Sequence, residues 1–273
     1  MEEQGSEQNY QTRQPNRQLF MYDIQVNHVY FVVDRETYEA IKGSDFVQSL
    51  ASTYEQKNST DNQTGWEGFY IRGKNTFIEL FYPQERYPSV GISGIGMGVD
   101  YAGSLAAISE RMQKDLPNLN RGSFNRLGKP WFEYLAVNDS YFYEKNSFWI
   151  MEYAPQYFSE NSEDISRAHY NSEKYDSNKP FLDITKFAVA LQPEGRDTLS
   201  TYLKSFGLRV QDGSYMTSEN IEIQLEDEDK NRKGIYQIDF SLREPFRENY
   251  SSRLGNSLLT IQGSKGSWIF FKK

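Results

Sequence analysis

Cysteine is absent from the 273-residue chain. Disulfide bonds, thiolate zinc sites and cysteine nucleophiles are therefore excluded. Histidine is scarce as well, because it occurs only at His28 and His169. A Ser-His-Asp triad would have to use one of these two residues, and neither has the sequence motif of a hydrolase around it. The sequence also lacks the glycine-rich loops that bind phosphate groups.

The chain has no excess of basic residues and no long apolar run. It carries 30 Lys and Arg against 38 Asp and Glu, a net charge of −8, whereas nucleic-acid-binding proteins usually have a clustered basic face. No apolar run is long enough to span a bilayer, and no signal peptide opens the sequence. We therefore expect a cytoplasmic protein, or an exported one whose signal peptide has been removed. We further expect a small-molecule ligand and a monomer or homodimer.

Aromatic residues, in contrast, are abundant, with 20 Tyr and 18 Phe. Aromatic side chains favour strands and sheet packing, which predicts a sheet-rich fold. Residues 1–20 differ from the rest because they are rich in Gln, Asn, Arg and Glu. Such a segment buries too little apolar surface to offset the entropy of ordering, so we expect a disordered tail.

The first organised segment has a strand–helix–hairpin pattern. Residues 28–33 alternate as a strand does, and Asp34 is suited to cap a helix over about residues 35–54. Residues 55–64 are polar and predict a loop, and residues 66–71 and 76–82 predict a hairpin around Gly73.

The same pattern recurs along the chain. A second unit begins at Gly94, with a helix over 101–116 and strands over 131–137 and 147–153. A third begins at Lys186, and its helix runs over about 196–206. A fourth begins near Ile235, with a helical stub over about 245–254 and a closing hairpin over 258–271. Residues 154–180 show no periodicity and predict a linker. The chain therefore contains four βαβββ-like units in two pairs.

This order of segments resembles the vicinal-oxygen-chelate superfamily, which includes glyoxalase I, bleomycin- and fosfomycin-resistance proteins and extradiol dioxygenases. The matching stretches are residues 28–34, 77–81, 94–100 and 149–153. The chain is also similar to a bacterial group of glyoxalase-like proteins, from which no activity can be carried over. The resemblance implies an α+β fold of tandem βαβββ modules forming curved mixed sheets with helices on the convex side. It also implies a first domain over 21–155, a linker over 156–182 and a degenerate second domain over 183–273.

The resemblance further implies a metal site in the concave cup of the first domain. His28, Glu79 and Glu152 fall at three of the four ligand positions, and Gly94 falls at the fourth. One histidine and two carboxylates suit Zn²⁺, Mn²⁺, Fe²⁺ or Ni²⁺. Glu152 would then act as the general base. The remaining ligand-binding positions of the cup are Tyr30, Phe77, Gly94, Gly96, Gly98 and Ile150.

Each of these interpretations has an alternative. The three glycines either widen the cup for a ligand or allow close packing of the linker or the second domain. The three metal-ligand candidates are either a metal site or a hydrogen-bonded histidine with two solvated carboxylates. The function is accordingly either a metal-dependent lyase, isomerase or dioxygenase, or that of a non-catalytic small-molecule-binding or interaction protein.

Two further sets of residues have less specific roles. His169, in the linker, is either a surface residue or a replacement for the missing fourth ligand. The cup of the second domain would present Lys186, Gln237 and Asp239 together with Gln224 or Glu222. This set has no histidine, so we expect it to bind either nothing or a polar ligand through hydrogen bonds.

Overall fold

A computed structural model describes residues 23–58, 66–113, 116, 118–126, 128–137, 146–158 and 164–271. The predicted tail over residues 1–20 lies outside these ranges.

Two βαβββ modules form the first sheet, as the sequence predicts. Its strands run in the order β2-β3-β4-β1-β5-β8-β7-β6, with β1 parallel to β4 and β5 parallel to β8. The central strands β1 and β5 pair antiparallel and join the modules. The elements are β1 (Gln25–Val32), α1 (Arg35–Lys42), α2 (Asp45–Leu50), β2 (Ser52–Asn58), β3 (Trp66–Arg72), β4 (Phe77–Phe81), β5 (Ser93–Val99), α3 (Ser104–Met112), β6 (Leu119–Arg126), β7 (Lys129–Val137) and β8 (Asn146–Tyr153).

The second sheet repeats this order, after a connecting segment with two short helices. Its strands run β10-β11-β12-β9-β13-β16-β15-β14, and the prediction of tandem modules in mixed sheets is confirmed. The elements are α4 (Pro155–Phe158), α5 (Arg167–Ser172), β9 (Phe181–Leu191), α6 (Pro193–Ser205), β10 (Arg209–Gln211), β11 (Ser214–Met216), β12 (Glu222–Asp227), β13 (Gly234–Leu242), β14 (Tyr250–Leu254), β15 (Ser257–Gln262) and β16 (Lys265–Phe270).

The fourth module departs from the predicted pattern. No helix follows β13, and much of the segment predicted as a helical stub forms the strand β14 instead. Only residues 243–249 connect these two strands. A parallel return requires a crossover of roughly a dozen residues or more, so this connection is too short. Accordingly, β13 pairs with β16 antiparallel, whereas the other three modules have a parallel pair at this point.

The helices pack on one face of each sheet and define the core. In the first sheet, Val29 and Phe31 of β1 and Ile95 and Met97 of β5 are buried on the helix-facing side. This cluster is continuous with the core of the second sheet, for example through the Phe31–Phe270 ring contact at 4.5 Å. The division of the chain into two domains therefore stays a prediction. We call the opposite face of each sheet its inner face.

Asp34 caps α1, as predicted, and also ties the two sheets together. Its carboxylate accepts hydrogen bonds from the Thr37 backbone N–H at 3.0 Å and from the Asn256 side chain at 2.9 Å. A capping residue contributes about 1 kcal/mol to helix stability. Because Asn256 follows β14 in the second sheet, this cap also fixes where α1 meets that sheet.

Candidate functional site

Strand register places two rows of side chains on the inner face of the first sheet, since directly paired residues of neighbouring strands point to the same face. The row that contains Glu79, here called the Glu79 row, lies beside the row that contains His28, here called the His28 row. The Glu79 row consists of Tyr54, Tyr70, Glu79, Tyr30, Gly94 and Ser147. The His28 row consists of Ser52, Arg72, Phe77, His28, Gly96 and Trp149.

His28 lies in the aromatic packing of its row. Its ring stacks on Phe77 at 4.5 Å and meets the edge of Trp149 at 5.1 Å. Its Nδ1 lies 2.8 Å from the Asn27 Oδ1. Burial, with a smaller contribution from the positive charge of Arg72, lowers the pKa of His28 from 6.5 to about 3. The imidazole is therefore neutral at physiological pH and is enclosed by aromatic rings.

Arg72 is the charged residue of this face that sequence reasoning missed. Its side chain is 1% exposed, and its guanidinium lies 3.6 Å from the centre of the Phe77 ring. It donates hydrogen bonds to the Tyr54 hydroxyl at 3.2 Å and to the Asn171 Oδ1 at 2.6 Å. An arginine at an inward position of an alternating strand is the signal that would have found it. Arg72 thus brings a positive charge close to the predicted metal ligands.

Glu79 lies in the middle of the inner face and is partly buried. Burial raises the pKa of Glu79 from 4.5 to about 7, although Arg72 and Arg86 oppose the shift. Within the described part of the chain, no side chain or backbone N–H donates a hydrogen bond to this carboxylate. Its charge acts on its tyrosine neighbours, because it raises the pKa of both Tyr70 and Tyr87 beyond the effect of burial.

Three aromatic side chains are fixed close to this carboxylate. Tyr30, the direct cross-strand neighbour of Glu79, donates a hydrogen bond to the Ser147 hydroxyl at 3.0 Å. Its ring lies 5.5 Å from Tyr87 and 6.0 Å from Trp149. Tyr87 itself is held by paired backbone hydrogen bonds with Gln84. Tyrosine side chains are therefore the cross-strand neighbours of Glu79, and none of the described residues donates a hydrogen bond to its carboxylate.

The structure places Glu152 on the opposite face of the sheet, away from His28 and Glu79. Its carboxylate accepts hydrogen bonds at 2.8 Å from the backbone N–H groups of Gly103 and Leu105. These N–H groups lie at the N-terminus of α3, where the first N–H donors have no partner within the helix and a negative charge is favourable. Ile150 has the same parity and is fully buried among core residues on the helix-facing side. Neither residue reaches the inner face where both were expected.

Neighbouring side chains fill the space next to each of the three glycines of β5. A Cβ at Gly94 would lie 2.2 Å from the Tyr30 ring, and one at Gly96 would lie 2.6 Å from the His28 ring. A Cβ at Gly98 would lie 3.0 Å from the Arg167 Cδ. The glycines thus allow rings and a linker arginine to approach the backbone. Of the three, only Gly98 faces the connecting segment, as the packing interpretation expects, whereas Gly94 and Gly96 face rings of the same sheet.

The connecting segment after β8 covers part of the inner face. Tyr170 of α5 stacks on Tyr153 at 4.3 Å, and the neighbouring Asn171 contacts Arg72. Arg167, 1% exposed, pairs with Asp100 at 2.9 Å and with Glu219 at 2.8 Å. These contacts bury the end of the inner face that lies beyond the His28 row.

His169 belongs to this segment and has its own partners. It stacks on Phe158 at 4.5 Å, and its Nδ1 lies 2.8 Å from the Asp164 carbonyl oxygen. It is therefore engaged within the connecting segment, and no contact with His28 or Glu79 brings it into the role of a replacement ligand.

The residues present do not fit a divalent metal. Across the described residues, no group of three or more His, Asp and Glu side chains is arranged to hold an ion. Glu152 caps α3, Gly94 offers no side-chain ligand and the space above it is filled by Tyr30. The charge of Arg72, which lowers the pKa of both His28 and Glu79, repels a divalent ion about twice as strongly as it repels a singly charged group at the same distance.

The inner face of the second sheet carries a polar network at the predicted positions. Lys186 pairs with Glu222 at 3.1 Å, and Gln237 donates to Asp239 at 2.9 Å. Gln224 donates to Glu226 at 2.6 Å. The polar groups of this face hydrogen-bond to one another, so no unsatisfied group singles out a ligand position here.

In the parts of the chain that the structure describes, no helix is long and apolar enough to cross a membrane. A comparison with curated proteins found no match.

Several solved structures are similar to this chain at low sequence identity. A hypothetical protein from Staphylococcus aureus is 12% identical, with a TM-score of 0.52 over 85% of this chain and 96% of its own. The Mn(II)-bound glyoxalase from Novosphingobium aromaticivorans is 8% identical, with a TM-score of 0.45 over 86% of this chain and 77% of its own. A xylose isomerase-like TIM barrel/4-hydroxyphenylpyruvate dioxygenase fusion protein is 15% identical, with a TM-score of 0.47 over 78% of this chain. The chain spans 35% of the length of that fusion protein.

The glyoxalase-like fold expected from the sequence is confirmed by the strand order and pairing of both sheets. A family model described as a family of unknown function, DUF5829, matches residues 26–270. This match includes the inner face of both sheets and the segment that connects them. The chain therefore belongs to the DUF5829 family.

Proposed function

We propose that this protein binds a small organic molecule on the inner face of the first sheet, at Glu79, without using a metal ion. The observation that carries this proposal is the Glu79 carboxylate, which is partly buried and accepts no hydrogen bond from the described residues. A ligand that donates to this carboxylate would add a hydrogen bond to a charged group, which contributes about 1.5–3 kcal/mol.

The surroundings of Glu79 support binding rather than metal catalysis. Tyr30 and Tyr70 flank Glu79 as mostly buried apolar rings, Trp149 lies 6.0 Å from Tyr30, and the Tyr30–Ser147 hydrogen bond holds one of these rings in place. Binding sites of this kind combine apolar walls with a few polar groups that orient the ligand. A metal-dependent lyase, isomerase or dioxygenase would need His28, Glu79 and Glu152 on one ion. The position of Glu152 speaks against that arrangement.

A screen of small fragments tests the proposal. Neutral, anionic and cationic fragments are titrated into chelator-treated protein, and binding is followed by saturation-transfer NMR and by the shift in melting temperature. We expect at least one fragment to bind saturably without metal and to bind differently to Glu79→Gln. Glu133→Gln is the matched control, because Glu133 is exposed and pairs with Arg121 far from the Glu79 row. Binding that requires an added divalent metal, or no saturable binding by any class, would exclude the proposal.

A second candidate is a metal-independent proton-transfer enzyme, which the Glu79 pKa of about 7 favours. A general base works best when its pKa lies near the working pH. A ligand with an acidic C–H bond next to a carbonyl would then exchange that hydrogen with solvent deuterium. Exchange that is catalysed by the wild type and lost in Glu79→Gln would support this activity, whereas binding without exchange would leave the protein as a binder.

A further inference from the structure

We infer that the Glu79 site selects a protonated amine, with the N–H groups of the ligand donating to the Glu79 carboxylate and its carbon skeleton packed against the surrounding rings. This inference rests on the proposed binding function and names the chemical class of its ligand. It follows from three features of the site: the acceptor, the ring faces around it, and the nearby positive charges.

The first feature is the acceptor itself. An ionised carboxylate can only accept hydrogen bonds, and Glu79 receives none from the described chain. Its nearest cationic neighbours do not fill this role. Arg72 directs its nitrogens to Tyr54 and Asn171, and the Arg86 guanidinium lies 5.5 Å from the centre of the Tyr87 ring. No Lys or Arg nitrogen of the described residues pairs with Glu79 within 4.0 Å. The Glu79 carboxylate can therefore accept hydrogen bonds from a ligand.

The second feature is the ring faces. Tyr30 and Tyr70 are the cross-strand neighbours of Glu79, the Tyr87 ring lies 5.5 Å from the Tyr30 ring, and aromatic faces carry a partial negative charge. A cation within about 6 Å of such a face is attracted by up to ~2 kcal/mol when it is desolvated. The rings and the carboxylate therefore favour the same kind of ligand group, a cation, over an anion or a neutral hydroxyl.

The third feature, the nearby positive charge, limits the ligand to one cationic group. The charges of Arg72 and Arg86 lower the pKa of Glu79 and so offset part of its negative potential. A quaternary ammonium has no N–H group, so it would leave the carboxylate without a hydrogen bond. A primary or secondary ammonium supplies both the charge and the donor, which makes a charge-assisted hydrogen bond possible.

Calorimetric titration with benzylammonium and its neutral analogue benzyl alcohol tests the inference. The experiment uses the full chain at about pH 8, where Glu79 is ionised. About 0.15 M salt screens attraction to the acidic surface of this protein. Three forms are compared: wild type, Glu79→Gln and the control Glu133→Gln. Circular dichroism confirms that each variant is folded.

We expect benzylammonium to bind about tenfold more tightly than benzyl alcohol, which corresponds to one charge-assisted hydrogen bond. This preference should disappear in Glu79→Gln and persist in Glu133→Gln. Equal binding of both probes would overturn the inference, and so would a preference that survives in Glu79→Gln. If the fragment screen finds a saturable neutral or anionic ligand instead, the amine class fails while the proposed function stands. If no fragment of any class binds, the proposed function itself fails.

Discussion

Replacement of Glu79 by glutamine should change how the stability of the protein depends on pH. The Glu79 pKa is about 7 in the folded protein, against 4.5 for an unperturbed glutamate. The folded state therefore holds the proton more strongly than the unfolded state does. The resulting stabilisation is fully present below pH 4.5 and is lost as the pH rises through 7. At 1.36 kcal/mol per pKa unit, the loss amounts to about 3 kcal/mol. Because Glu79 is partly exposed, solvent screening reduces this to about 2 kcal/mol.

His28 acts in the opposite direction and partly hides this effect in the wild type. Its pKa is lowered from 6.5 to about 3, so its contribution to stability is present above pH 6.5 and is lost as the pH falls through 3. Between pH 4.5 and 6.5, the titration of Glu79 makes the free energy of unfolding fall with rising pH, and the titration of His28 makes it rise. Glu79→Gln removes one of them, and the free energy of unfolding of this variant should rise with pH over this range.

Urea denaturation at a series of pH values, followed by tryptophan fluorescence, measures these slopes. The stability of Glu79→Gln minus that of the wild type should increase by about 2 kcal/mol between pH 4.5 and about 8. Glu133→Gln should show no comparable increase, since Glu133 is exposed and pairs across the strands with Glu152, away from the inner face. A difference that stays flat across the series would refute the assignment of Glu79 as a desolvated carboxylate.

Four further substitutions test individual contacts of the inner face, of the connecting segment and of the α3 N-terminus. Arg72→Met should raise the pKa of both Glu79 and His28, because the guanidinium lowers both; carbon-detected NMR titration measures this, and unchanged values would contradict the proposed coupling. Gly96→Ala should cost about 1–3 kcal/mol by overpacking, and less in a His28→Ala background; a double-mutant cycle with no coupling would contradict the contact. Arg167→Met should cost about 3 kcal/mol in urea denaturation, because Asp100 and Glu219 lose their buried partner; a change below about 0.5 kcal/mol would show that the pair is not stabilising. Glu152→Ala should cost about 1 kcal/mol through loss of the α3 cap and leave ligand binding at Glu79 intact; lost binding would place Glu152 in the site after all.

The repeated modules could be predicted from the sequence because their central strands alternate clearly. In β1, polar and apolar positions follow each other, and Asp34 supplies a local signal for the start of α1. The strands β2 and β6 were missed, and the helix in front of β2 was extended too far along the chain. Both strands lie at the edges of the sheet and are largely polar, and edge strands of this kind have no hydrophobic alternation to recognise.

Only part of the candidate site could be predicted, because the sequence of β8 does not show which of its side chains face the core. Phe148, Trp149, Ile150 and Met151 are all apolar, so alternation does not show which of them face the core. A one-residue slip moves every side chain of a strand to the other face. Glu152 pairs with Val99, which is buried on the helix-facing side, so the Glu152 side chain points to that side as well.

Local sequence patterns by themselves determined the order of the modules. They also determined that His28 and Glu79 point to the same face of the sheet, because both features depend on residues close together in the chain. Only the tertiary structure decided what surrounds that pair. Arg72 comes from a neighbouring strand, and Tyr170 and Asn171 come from the connecting helix α5, across long sequence separations. Strand register and the folding of the connecting segment over the sheet bring these residues together. For that physical reason the three predicted metal ligands do not come together: His28 and Glu79 share a face rich in aromatic residues, and Glu152 lies on the other face.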